Sequence, residues 1–151
     1  MRNDTRLSRM LHVLLHLGRE SGSMTSEAIG AMLGTNPAVV RRTMAGLREA
    51  GYVRSVKGHG GGWVIACDLE QLSLLDIHRA VSGPRLFSIG SEHANPDCVV
   101  ERLVNVALED SLRAAETLLV KRLEAVTLAD LCRSLDAQCT TDRPTQSPVS
   151  E

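Results

Sequence analysis

The segment "SEAIGAMLGTNPAVVRRTMAGLREAG", residues 26–51, leaves little choice of local structure. Thr25 or Ser26 can cap a short helix with Ile29, Met32 and Leu33 on its inward side, and Gly34 closes it. Asn36 is a strong N-cap, and Pro37 at the first helical position gives up an amide that would have had no partner. The second helix runs to about Ala50, where Gly51 ends it, and its inward face is Val40, Met44 and Leu47. Ahead of this pair, residues 5–19 set Leu7, Met10, Leu11, Leu14 and Leu17 on one helical face. Two short helices joined by a tight glycine-containing turn, behind a third, form the helix-turn-helix pattern. The last of them is the expected recognition helix. Its outward residues include Ala38, Val39, Arg41, Arg42, Ala45 and Arg48, and of these all but Ala45, with the cap Asn36, are the candidates for DNA contact. Arginine can bond a guanine edge through two hydrogen bonds, and Val39 suits a thymine methyl.

Immediately downstream, the β-rich runs "YVRSV" and "WVIAC" flank "KGHGGG". A glycine-rich loop raises the question of a phosphate cradle. The dinucleotide fingerprint needs glycine at its first, third and sixth positions, then a helix. Gly58 and Gly60 fit, but Trp63 occupies the sixth position and a β run follows. No Lys-Ser or Lys-Thr pair follows the glycines, so the phosphate-loop motif fails too. The remaining reading is a hairpin, and directly after a recognition helix a hairpin is a wing. Arg54, Lys57, Gly58, His59, Gly60 and Gly61 are its candidate DNA-contacting residues, the basic ones as donors and the glycines to allow close approach. Whether His59 touches DNA or only occupies the turn is open.

The rest of the chain reads as helix. "SLLDIHRAVSG" opens with a capping box, Ser73 to Asp76, and residues 82–97 form a loop rich in Gly, Pro and Ser. From about Cys98 to Ala125, Val100, Leu103, Val104, Ala107, Leu108, Leu112, Ala115, Leu119 and Leu123 recur at three- and four-residue steps. A helix of that length spans about 40 Å, more than a small winged domain needs for its own core, so these residues are the expected dimer interface. "TLADLCRSL" is a short closing helix with its own box, Thr127 to Asp130. The organisation is a winged helix-turn-helix domain over 1–81, a loop over 82–97, a dimerisation helix and closing helix over 98–135, and a disordered tail over 136–151.

Charge sorts the two halves. Residues 1–66 carry nine Lys/Arg against four Asp/Glu, and the remainder eight against fourteen, for a net charge of −1. So basic a first half suggests a polyanion as partner. One Trp, one Tyr and one Phe argue against an aromatic base-stacking platform. No apolar run approaches a membrane span, and the first twenty residues read as a helix rather than a leader. Cys67, Cys98, Cys132 and Cys139 form no CxxC pair, which fits reduced thiols in the cytoplasm. His12 and His16, four residues apart, could share a metal ion. Arg9 and Arg19 lie on the same stripe and would repel it, so the pair is read as a polar helix face and no metal site is expected.

With these elements in place, residues 25–77 resemble the Rrf-two family of bacterial winged-helix transcription regulators, of the IscR, NsrR and CymR type. The resemblance rests on the helix-turn-helix, the exit "LREAGYV", the basic wing ending "GGW" and the "LSLLDI" helix. With the long helix and "TLADL" it covers roughly residues 1–135. It implies a fold that is mainly α with a small β-hairpin, and a homodimer that binds a palindromic operator and often represses. Sensor members of the family hold an iron–sulfur cluster on three cysteines, in the loop and at the start of the long helix. Here that region offers Cys98 alone, with Glu92 and His93 as conceivable substitutes, so the chain looks closer to the branch without clusters and no cofactor is expected. Cys98 is then a possible thiol sensor, and an oxidant or small-molecule inducer is left open. A winged-helix adaptor that binds protein instead of DNA is the alternative, and no catalytic residues are expected.

Overall fold

The computed structural model describes residues 5–19, 22–82 and 98–141. Three helices open the chain, α1 (Arg6–Arg19), α2 (Ser26–Leu33) and α3 (Pro37–Glu49). The α2 cap is Thr25 rather than Ser26, since Thr25 Oγ1 accepts from the Ala28 amide at 3.1 Å. Gly34 ends α2 in the left-handed conformation, φ 60°. Asn36 Oδ1 then accepts from the Ala38 amide at 2.8 Å, and Pro37 begins α3. These local choices fix a sharp turn between α2 and α3 before any tertiary packing is considered.

The core collects Met10, Val13, Leu14 and Leu17 from α1, Ile29 from α2, and Val40, Met44 and Leu47 from α3. Each fully buried aliphatic side chain contributes about 1.5–3 kcal/mol relative to exposure. The buried stripe of α1 lies slightly to one side of the expected face. Val13 is fully buried, whereas Leu7 and Leu11 are partly buried at its edges.

The chain leaves α3 through Gly51 and forms β1 (Val53–Val56) and β2 (Gly62–Ile65), an antiparallel hairpin pairing Val53 with Ile65 and Val56 with Gly62. The architecture is mainly helical with one two-stranded hairpin, as the sequence leads one to expect. Met24 bridges to Trp63 on the open side of β2, with backbone bonds of 2.8 and 3.1 Å, so the hairpin is tied to the segment before α2.

Beyond the hairpin come α4 (Leu74–Ser82), α5 (Val99–Glu124) and α6 (Leu128–Thr141). Both expected capping boxes form. Asp76 Oδ2 accepts from the Ser73 amide and hydroxyl, and Asp130 Oδ2 accepts from the Thr127 amide and hydroxyl at 2.9 Å each. The two helix starts also pair with each other. The Leu74 amide donates to Val126 at 3.0 Å and the Leu128 amide donates to Leu72 at 2.8 Å. This pairing returns α6 to the core, where Leu128 is fully buried, and packs it along α1.

One boundary needs correction. Residues 136–141, expected in a disordered tail, continue α6 to Thr141. No Gly or Pro interrupts the sequence before Pro144, Leu135 faces α1, and Asp136 pairs with Arg19 Nε at 3.0 Å. The expected tail beyond Thr141, and the expected loop from residue 83 to 97 with Glu92 and His93, lie outside the described residues.

α5 has no buried residue along its 26-residue length. At 100° per residue its apolar positions divide. Leu112, Leu119 and Leu123 are partly covered within the chain, together with Asn105 and Glu116 on the same side. Val100, Leu103, Val104, Ala107, Leu108 and Ala115 face solvent.

Candidate nucleic-acid interface

Every polar or charged candidate on α3 is exposed: Asn36 at the cap, then Arg41, Arg42 and Arg48. Ala38 and Val39 are exposed beside them, Val39 at 49% of its surface, an apolar contact waiting on the outside of a helix. Burial of Val40, Met44 and Leu47 on the opposite face dictates this orientation. The helix cannot turn its arginines inward without expelling its core residues.

The two adjacent arginines are not equivalent. Arg41 Nη1 bonds Glu27 Oε1 of α2 at 3.2 Å. Glu27 is held below the usual carboxylate range, first by a hydrogen bond from its own backbone amide and then by Arg41. Among the described residues Arg42, Arg48, Arg54 and Lys57 form no salt bridge. Their charge is available to an outside anion. On the flank, Arg6 and Arg9 of α1 line a small recess with Val39 and Thr43 and extend the basic face.

The hairpin carries the other expected contacts. Arg54, Lys57, Gly58, His59 and Gly60 are exposed, and Gly61 is half-buried. Gly58 and Gly60 take positive φ of 97° and 75°. Gly61 is required for a different reason, since a Cβ there would stand 2.4 Å from the Val56 carbonyl oxygen. The loop is therefore a built turn, with glycines demanded by the backbone itself, and His59 is presented at its tip. Two bonds anchor it to the helix-turn-helix. The Ser23 hydroxyl donates to the Gly60 carbonyl, and buried Trp63 donates Nε1 to Ser26 Oγ at 3.0 Å. Burying the one tryptophan with its N–H satisfied fixes the wing against the first turn of α2.

Sequence reasoning missed Glu27, Ser23 and Ser26. Glu27 meets Arg41 fourteen positions away, and Ser26 meets Trp63 thirty-seven away. Helix and strand periodicity do not report such partners. Ser26 was visible only as a possible cap, and Trp63 only as the residue that breaks the nucleotide motif.

The solvent face of α5 is a second candidate surface. Val100, Leu103, Val104 and Leu108 are 50–69% exposed, and Val99, Val106 and Leu118, which the heptad-like reading did not include, are 58–62% exposed. Of the expected seam, Leu112, Leu119 and Leu123 are the members partly covered by their own chain.

Cys98 is the N-cap of α5 and makes no side-chain capping bond. Cys67 and Cys132 instead line a recess of about 690 Å³ between α1, the 67–70 turn and α6. Burial pushes both thiols up, with Asp68 adding to Cys67 and Asp136 to Cys132. Protonated thiols are poor ligands and poor nucleophiles. Cys139 is exposed on α6. The donor set at the start of α5 thus does not fit a cluster held by three thiolates. Among the described residues no group of three or more His, Cys, Asp or Glu could hold a metal. No described helix is long and apolar enough to cross a membrane.

Comparison with known proteins converges on one class. The sequence profile of the Rrf2 family, described as iron-dependent transcriptional regulator, matches residues 3–134. The "Putative HTH-type transcriptional regulator YwnA" of Bacillus subtilis (strain 168) is 28% identical over 132 residues, 87% of this chain and 98% of that protein. Among solved structures, CymR of B. subtilis, described as the global cysteine regulator, matches with a TM-score of 0.59 at 21% identity, over 89% of this chain and 98% of that one. T. potens IscR matches with a TM-score of 0.64 at 21% identity, over 99% and 94%. At these identities the two structures establish the winged-helix fold.

Proposed function

The chain belongs to the Rrf2 family of transcriptional regulators, and from that premise we propose that it acts as a homodimer on double-stranded DNA, as a repressor at a palindromic operator in the cytoplasm. The observation that carries the reading is the exposed basic surface of α3 and the hairpin, with Arg42, Arg48, Arg54 and Lys57 unpaired among the described residues. In this arrangement α3 enters a major groove, with Arg41 and Arg42 in its first turns near base edges. The wing, with Lys57 and His59, follows the backbone or the adjacent minor groove. The apolar face of α5 pairs with its copy about a two-fold axis, which sets half-sites about one helical turn apart or a multiple of it.

No cofactor is included in this reading. Cys98 is the lone cysteine of the region where relatives with clusters place three, so any effector is a small molecule or an oxidant acting on the chain itself. The transcription-regulator family and the failed nucleotide motifs leave no role for catalysis.

A mobility-shift titration with the DNA upstream of the protein's own gene tests the reading. The expected result is a discrete complex that unlabelled random DNA does not displace, with its midpoint shifted to higher protein concentration in Arg42→Ala. A protein that shifts no upstream DNA, yet remains folded, is a winged-helix adaptor for another protein instead.

A further inference from the structure

On α1 the rings of His12 and His16 turn toward one another. Their Nε2 atoms stand 3.2 Å apart, with ring centres at 5.0 Å and planes inclined at 50°. A head-on hydrogen bond between two such nitrogens would set the ring centres about 5.5 Å apart. Two imidazoles sharing one metal, each about 2.1 Å away at a near-tetrahedral angle, have nitrogens about 3.3 Å and ring centres about 5.1 Å apart. The observed ring-centre distance of 5.0 Å lies nearer the second arrangement.

The surroundings permit an ion there. The two histidines line an open recess of about 590 Å³ with Leu15, Arg19 and Leu135 of α6. Repulsion by neighbouring arginines is the objection that the sequence raises. Arg19 is answered by Asp136, whose carboxylate meets its Nε at 3.0 Å. That partner exists because α6 continues past Leu135 instead of ending as expected. Arg9 is not among the residues that line the recess.

We propose that His12 and His16 form a two-imidazole site for a borderline divalent transition metal such as Zn(II), Co(II) or Ni(II), bound through both Nε2 atoms with solvent completing the coordination. Neutral imidazole with no thiolate selects this class over hard ions and over iron–sulfur chemistry. Each ring would bind through Nε2 with its proton on Nδ1, the ion replacing the hydrogen bond that the two Nε2 atoms otherwise share. Helical spacing of four residues preorganises the chelate, and the second imidazole adds through effective concentration. The site is independent of the DNA-facing surface.

The test is a titration of the reduced, tag-free full chain with Co(II) alone, followed by visible absorption, and with Zn(II) by calorimetry. The expected result is one ion per chain, with ligand-field bands and without the intense near-ultraviolet band of a cobalt–thiolate bond. His12→Gln and His16→Gln should each weaken binding by at least about tenfold, because either change leaves one imidazole. His12 is exposed and His16 half-buried, and unchanged helical circular dichroism confirms that the variants fold. Binding that survives in both variants, a thiolate band that accounts for the bound ion, or no binding by the wild-type chain overturns the proposal.

Discussion

α1 and α5 use the same sequence device, apolar residues at steps of three and four, with opposite results. In α1, Met10, Val13, Leu14 and Leu17 are 0–4% exposed. In α5, Val100, Leu103, Val104 and Leu108 are 50–69% exposed, and no residue of the helix is buried. The difference lies in what surrounds each helix. α1 is covered by α4, α6 and the hairpin, whereas among the described elements α5 has substantial contact with α4 alone. Spacing tells which side of a helix is apolar. It does not tell whether the cover comes from the same chain. A winged unit that closes its own core is joined here to a helix whose apolar face stays open, the face that the proposed dimer would cover.

The sharpest way to break this comparison is to damage each helix in turn. Leu14→Ala removes a fully buried side chain and should cost about 2–5 kcal/mol, read as a lower urea midpoint of the whole chain. Leu103→Glu should leave the secondary structure intact and abolish self-association in sedimentation equilibrium, since a charge at a central contact costs about 2 kcal/mol or more. Equal loss of folding in both variants would mean that α5 is part of the monomer core. A fully dimeric Leu103→Glu protein would place the interface elsewhere.

The same contrast explains how much could be read from the sequence. The helix-turn-helix was legible because caps and breakers specify it locally: Thr25, Gly34, Asn36 and Pro37 act on neighbours within four residues. The wing was legible for a similar reason, as its glycines obey the backbone of a single turn. The end of α6 was not legible, because it depends on Asp136 meeting Arg19, more than a hundred residues away. The division of α5 into a covered side with Leu112 and an open side with Leu103 was hidden as well, since every apolar position in a seam looks alike. Glu27 was missed because an acidic residue beside the proposed recognition helix has no pattern of its own.

Smaller effects sharpen the account of the winged unit. Arg42→Ala should weaken operator binding by about 1–3 kcal/mol, if it reads a base edge, while the urea midpoint stays unchanged. Glu27→Gln frees Arg41 and should alter the preference among operator variants more than the overall affinity, measured by competition of single-base variants. Acid should loosen the start of α6. The Asp130 carboxyl is lowered by the Thr127 amide, then the Thr127 hydroxyl and Arg133. A lowered carboxylate stabilises the fold above its ordinary value of 3.8 and loses that contribution as pH falls through the folded value, so the cap should open only in that acidic range. Hydrogen exchange at the α6 amino end, followed against pH, reads this directly. Cys98→Ser, at a cap that makes no side-chain bond, should leave stability unchanged. If Cys98 is the sensor, that variant binds DNA equally before and after peroxide, while the wild-type chain responds.

The central claim is that the basic face of α3 and the wing holds DNA through its phosphates and bases. The salt dependence of operator affinity measures it most directly, with wild type beside Lys57→Ala. Affinity should fall linearly on a log–log plot against salt, and the slope should shrink by about one unit in Lys57→Ala. Affinity that is independent of salt, or a slope that Lys57→Ala leaves unchanged together with an unaffected Arg42→Ala, would contradict the account.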